Sequence, residues 1–132
     1  MSLRVKLVVP EGEVWAGTAD RVVAKTLDGD IGILGGHTPV LGILAPGSVV
    51  RILPENSSAD DWIHAAVGDG FLSVADNRVS ILARQAMLGS DVDKAAARAA
   101  LESTLGAAQG GEGEPAEAGY LRAQLRAAGE EA

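Results

Sequence analysis

Gly29–Gly47 reads GDIGILGGHTPVLGILAPG and holds six glycines, two prolines and one of the two histidines of the chain. Three readings compete for it. A phosphate-cradling loop needs G-x-x-x-x-G-K-[ST] between a buried strand and a helix. No lysine follows these glycines, Pro39 leads into the strand-like VLGIL, and nothing after it is helical, which also removes a dinucleotide fingerprint. A general base at His37, oriented by Asp28 or Asp30, is the second reading. The chain offers it no cysteine, and Ser48 and Ser73 are isolated strand residues. The third reading is a run of tight turns between short buried strands, with Pro39 and Pro46 at edges where no ladder donor is needed. The glycines build turns. His37 is read as structural or as an interface residue, and His64, between Ile63 and Ala65, as an ordinary strand histidine.

Outward from this stretch the period is two. Leu3, Val5, Leu7 and Val9 alternate with Arg4, Lys6 and Val8, and Pro10 stops the run. RVVAKTL, GSVVRIL, DWIHAAV, GFLSVA and NRVSILA are further short runs rich in β-branched residues, divided by Asp28-Gly29, Pro46-Gly47, Pro54–Asp60, Gly68–Gly70 and Asp76-Asn77. Strands at such intervals with no helix between them predict an antiparallel sandwich or barrel from Leu3 to about Ala86. Asp76-Asn77 predicts a hairpin, since both residues tolerate the left-handed region. Trp15 is placed just before a strand, packing at the core or the end of the sandwich, with partner contact as the sharper reading.

Bulk composition agrees with one domain plus a small appendage. The chain has 132 residues, 47% hydrophobic and 22% charged, which is globular. With aromatics at 3%, the core must be built from Val, Leu, Ile and Ala. A net charge of −7 argues against nucleic acid or an anionic membrane surface as a direct partner. There is no cysteine, hence no disulfide or thiolate site. The N-terminal segment lacks a signal-peptide pattern, and no apolar run is long enough to cross a membrane. The chain reads as soluble and cytoplasmic, with membrane association only through a partner.

At Ser90 the pattern changes. SDVDKAAARAALESTLG places Ser90 as an N-cap with Asp93 three residues on, Asp91 and Asp93 in the first turn, and Gly106 as a stop. Val92, Ala96, Ala99, Leu101 and Leu105 form a thin apolar stripe. AQGGEGEPAE reads as a flexible linker. A second helix follows Pro115 and stops at Gly129, with Leu121, Leu125 and Ala128 on its apolar face. That face is too small to hold the helix alone in water, so it must lie on the first helix, the sandwich or another protein.

Two stretches that carry no catalytic chemistry match a known pattern. GDIGILGGHTPVLGILAPG resembles the G-x-[hydrophobic]-G-[hydrophobic]-x-x-x-H-x-P hairpin of the ε subunit of the rotary F-type ATP synthase, with its following P-G. GDGFLSVADNRVSILARQA is similar to that family's strand pair ending in I-L-A. The resemblance implies an all-β sandwich over 1–87 and an α-helical hairpin over 90–132, α+β overall. It implies a non-catalytic central-stalk protein whose sandwich binds the γ subunit and rests on the c-ring of F0. Asp30, Leu34 and His37 would then be c-ring contacts. The helical tail would reach the α and β subunits of the catalytic head and modulate ATP hydrolysis, through Leu121, Arg122, Leu125 and Arg126. No resident cofactor, metal, nucleic acid or membrane insertion is implied. The location implied is peripheral to the cell membrane on the cytoplasmic side.

Two departures from the family pattern stand out. Members that bind regulatory ATP carry I/L-D-x-x-R-A at the first helix. Here the stretch is VDKAAA: Asp93 matches, Ala96 occupies the arginine position, and Arg98 lies about 200° further round a helix. The tail is also short and interrupted by glycines. High Ala and Arg with low Lys resemble actinobacteria-like members. A different class remains as the rival, a free-standing β-sandwich ligand-binding module with a flexible acidic tail.

Overall fold

The computed structural model describes residues 2–107 and 115–130. Nine strands precede two helices: β1 Leu3–Val9, β2 Gly12–Thr26, β3 Gly29–Leu34, β4 Val40–Ile43, β5 Ser48–Pro54, β6 Ile63–Val67, β7 Gly70–Ala75, β8 Arg78–Ala83, β9 Ala86–Leu88, α1 Lys94–Ala107 and α2 Ala116–Ala127. Hydrogen bonding orders the strands β4-β7-β8-β1-β2-β5-β6-β9, with β3 also paired to β2. All ladders are antiparallel except β1 with β8.

The longest strand joins the two layers of the sandwich. Residues Gly12–Ala19 of β2 pair with β1, whereas Ala19–Thr26 pair with β3 on one side and β5 on the other. The register shifts between Ala19 and Arg21, where the strand changes layer. Trp15 therefore lies inside β2 rather than before a strand, and packs partly buried against the core. The sequence reading began this strand at Arg21 because Gly12, Ala16 and Gly17 are poor strand formers; pairing with β1 along their whole length overrides that. Alternation sends Leu3, Val5, Leu7, Val22, Ile33, Leu44, Val50, Ile52, Leu72 and Ile81 into one core, all essentially without exposure. The single buried polar side chain among the described residues, Ser48, donates its hydroxyl to the Ala45 carbonyl at 2.6 Å.

Turn chemistry follows the glycines only in part. Gly29, Gly36 and Gly47 have φ of +118°, +81° and +65°. Gly32 and Gly42 instead sit within β3 and β4, so Gly29–Leu34 is itself a strand. The Asp76-Asn77 hairpin has φ of 51° and 60° at its two central residues, the left-handed pair a two-residue turn requires.

After β9 a single 3₁₀ turn covers Gly89–Asp91, and Val92 is extended. Helix α1 starts only at Lys94, and its cap is Asp93, whose Oδ1 accepts from the Ala96 amide at 3.0 Å. Ser90 caps nothing, because Gly89 is held against the end of α2: a β-carbon on it would stand 2.0 Å from the Ala127 carbonyl oxygen. The stripe on α1 is Ala97, Ala100, Leu101 and Leu105; Ala96 and Ala99 are exposed. Helix α1 runs through Gly106 to Ala107, and the linker from 108 to 114 lies outside the described residues.

Helix α2 ends as a Schellman motif. The Glu130 amide donates to the Leu125 carbonyl at 2.8 Å and the Gly129 amide to that of Arg126 at 3.0 Å, with Gly129 at φ +91°. The helix is buried on two sides. Ala118, Leu121 and Leu125 meet Ala97 and Leu101 of α1, whereas Tyr120, Ala123 and Ala127 meet Ala66 of β6 and Val49 of β5. Ala65, Ala66 and Val67 are consequently all buried, since both faces of β6 are covered there. A small stripe suffices because α2 lies between α1 and the sheet.

Candidate functional site

The outer face of β4, β7, β8 and β1, away from the helices, is graded. Register places Ile43, Phe71, Leu82 and Val8 in one row across the four strands. The next row is Leu41, Ser73, Ser80 and Lys6, and the last is Ala75, Arg78 and Arg4. Leu41 is 73% exposed, Ile43 61%, Phe71 47% and Leu82 42%, which makes a contiguous apolar area rather than scattered side chains. A depression of about 620 Å³ opens beside the first row, lined in part by Val9, Pro10 and Phe71. These residues were not singled out from the sequence. The signal was present: VLGIL, GFL and SIL carry apolar residues at both phases of the strand, so each strand has an apolar side left over after the core is filled.

The three residues tied to the c-ring by resemblance do not form one tip. Asp30 stands opposite Lys25 near the start of β3, and Leu34 stands opposite Arg21 at its end. They are four steps apart along the strand, about 13 Å. Asp30 lines a depression of about 350 Å³ with Lys25, Arg51 and Arg126. Leu34 and His37 belong to the following turn, where the His37 amide donates to the Leu34 carbonyl at 3.1 Å. That turn is tied to the β7–β8 hairpin: the Gly36 amide donates to Asn77 Oδ1 at 2.7 Å. His37 Nδ1 bonds the adjacent Thr38 carbonyl at 2.6 Å, with Asp30 at the far end of the strand. No carboxylate–imidazole pair is assembled there.

In the tail, Leu121 and Leu125 are core residues of the helical layer, not free contact residues. Arg126 Nη2 donates to the Gly47 carbonyl at 2.8 Å, and Arg122 is half-buried. Asp93 uses its carboxylate as the α1 cap. Arg98 points toward Glu130, which it meets at 3.9 Å while Lys94 meets it at 3.6 Å. Among the described residues no cluster of histidine and acidic side chains could hold a metal ion.

Residues 2–89 match the family model described as ATP synthase, Delta/Epsilon chain, beta-sandwich domain. The ATP synthase epsilon chain of Thermobifida fusca is 50% identical over 127 residues, covering 96% of this chain and 91% of the relative. This chain belongs to the ATP synthase epsilon family. The epsilon chain of Frankia casuarinae is 52% identical over 88 residues, covering 67% of this chain and 99% of that one. Among solved structures, a chain of the Euglena gracilis mitochondrial ATP synthase (OSCP/F1/c-ring, rotational state 1) superposes with a TM-score of 0.69 over 94% of this chain and 75% of its own, at 20% identity. That likeness speaks for the fold. The epsilon chain is a non-catalytic subunit of a membrane-associated synthase, so the free-standing ligand-binding module falls away. No helix among the described residues is long and apolar enough to cross a membrane.

Proposed function

We propose that this epsilon chain is a coupling element of the central stalk, docked on the γ subunit through the outer face of β4, β7, β8 and β1. The observation that carries the reading is the Ile43–Phe71–Leu82–Val8 row with Leu41 beside it. An exposed apolar area of this kind on a small acidic subunit fits a stable protein interface, which typically takes about 800 Å² from each partner. The c-ring is met by one end of β3, at Asp30 or at Leu34 and His37, and torque passes between ring and γ through the sandwich. The subunit lies peripheral to the cell membrane, on its cytoplasmic side.

The helices supply regulation. With α2 seated on β5 and β6, Arg126 is engaged with Gly47. Extension of the hairpin releases it toward acidic segments of the catalytic β subunits in the α/β head, restraining ATP hydrolysis. Regulatory ATP binds weakly, because Ala96 supplies no cation and Asp93 is engaged as a cap. No resident cofactor is needed.

Mixing the full chain with purified γ tests the docking. Co-elution on size exclusion is expected, and its loss in an Ile43→Asp/Phe71→Ser variant that keeps the thermal stability of the parent. Independent elution of the unmodified chain would overturn the reading.

A further inference from the structure

The same face has a second end that apolar contact does not explain. Arg4 of β1 and Arg78 of β8 are register partners in the parallel ladder, and Lys6 follows two residues on. All three are exposed and line one depression of about 270 Å³ with Val79 and Ser80. Like charges set side by side on neighbouring strands destabilise a sheet. No carboxylate stands opposite them across the β1–β2 ladder, where Arg4 faces Thr18 and Lys6 faces Ala16. Asp76 lines the same shallow depression as Arg78, yet among the described residues none of the three cations stands in an ion pair. The chain as a whole is acidic at −7, with 11 Lys and Arg against 18 Asp and Glu. Three unpaired cations in one corner run against that composition.

We infer that the partner seated on this face is amphipathic, with apolar side chains over the Ile43–Phe71–Leu82 row and carboxylates against the Arg4–Lys6–Arg78 corner. The inference rests on the γ-docking reading and adds the chemistry of the partner surface. Continuity decides for a protein over a free anion or a lipid surface. Leu41, Ser73 and Ser80 join the two ends without a break, so one rigid element covers both. The charges also set orientation: a partner turned end for end would place its carboxylates on Phe71 and Leu82 and its apolar side chains on the arginines. The grading therefore admits one direction of docking.

The test measures affinity of the full chain for purified γ by calorimetry, at about 50 and about 500 mM salt. Four chains are compared: the unmodified protein, Arg4→Glu/Lys6→Glu/Arg78→Glu, Arg4→Gln/Lys6→Gln/Arg78→Gln, and Ile43→Asp/Phe71→Ser. Thermal melts check that each is folded; the Gln variant serves if charge reversal disturbs the sheet. The unmodified affinity should fall on the order of tenfold with salt, and the Glu variant should lose at least that much at low salt. The Gln variant should lie between them and be nearly salt-independent. Salt-independent binding, unchanged in the Glu and Gln variants while the apolar variant fails, would overturn the acidic partner and leave γ docking intact. Full binding by the apolar variant would instead overturn the docking reading. Co-sedimentation with anionic phosphatidylglycerol vesicles, lost in the Gln variant while γ affinity is unchanged, would reassign the corner to lipid and overturn the inference.

Discussion

Arg126 near the end of α2 and Gly47 in the β4–β5 turn are joined by one hydrogen bond of 2.8 Å, from the guanidinium to the glycine carbonyl. The same glycine abuts the backbone of Gly119 one helical stretch earlier. The β4–β5 turn is thus a seat on which α2 rests.

That contact is asymmetric, and substitution should expose it. A β-carbon on Gly47 would lie 2.6 Å from the Gly119 carbonyl carbon, and the residue sits at φ +65°. Gly47→Ala incurs about 1–2 kcal/mol of left-handed strain before the collision is counted. A β-carbon on Gly119 meets nothing within 4 Å, so Gly119→Ala should stabilise α2 by roughly 0.5–1 kcal/mol. Hydrogen exchange across 116–127 should accelerate at least about tenfold in the first variant and slow in the second. Equal effects of the two would contradict the packing described.

Tyr120 is the only tyrosine in the chain and reports docking by itself. Burial against Ala66 and Val49 raises its pKa above 10.0, partly opposed by a hydrogen bond with Gln124. A raised folded value means that the undocked helix loses its proton first, so docking is fully stable below pH about 10 and weakens as pH climbs through the folded pKa. Tyrosinate absorbance should titrate above the ordinary midpoint in the unmodified chain and return toward it in Gly47→Ala. Tyr120→Phe should remove the alkaline loss of helix protection.

Leu125 is fully buried between the two helices. Leu125→Ala should cost the helical layer about 2–4 kcal/mol. Because α1 rests chiefly on α2, both helices should lose protection together. The strands β1 and β8, whose core does not include Leu125, should keep theirs.

In the assembled enzyme, two ways of disturbing the tail should have opposite effects. Removal of residues 121–132 should raise ATP hydrolysis a few-fold with γ binding intact. Gly47→Ala, which unseats the helix but keeps Arg122 and Arg126, should lower it. Matched changes in the same direction would argue against an extended, restraining tail.

Asp30→Ala and His37→Ala should each leave the isolated fold within about 0.5 kcal/mol, Asp30 being exposed and His37 half-buried in a turn outside the core. Proton pumping driven by hydrolysis in membranes should fall for only one of them, since β3 holds them at opposite ends. Equal losses would mean that the ring contacts the whole strand.

Where one face of a strand is buried, the sequence was legible. β1, β5, β7 and β8 were all readable from alternation, because the core accepts every second residue. The Asp76-Asn77 hairpin was readable for a different reason, its two residues tolerating φ above zero. The first half of β2 was not legible: its Gly, Ala and Thr residues pair with β1 without filling the core, and pairing leaves no compositional trace. The start of α1 was misplaced by three residues because Gly89 answers to the end of α2, a contact with a segment some forty positions away. The same holds for the site. Apolar residues at the wrong phase of VLGIL and GFL were visible in principle, but their alignment into a row depends on register. The separation of Asp30 from His37 depends on Gly29–Leu34 being a strand, which its glycines disguised.

The passage of β2 through both layers bears on how the subunit carries load. A pull on β3 is directed along β2, and β2 is bonded lengthwise to β1 in one layer and to β5 in the other. Force along a strand spreads over all its ladder bonds at once, whereas force across it would open them one after another. The core between the layers is close-packed and transmits strain with little compression. Twisting applied at β3 therefore reaches β4, β7, β8 and β1, the strands proposed to face γ, as a displacement of the whole body, without the lag that two separately hinged sheets would introduce.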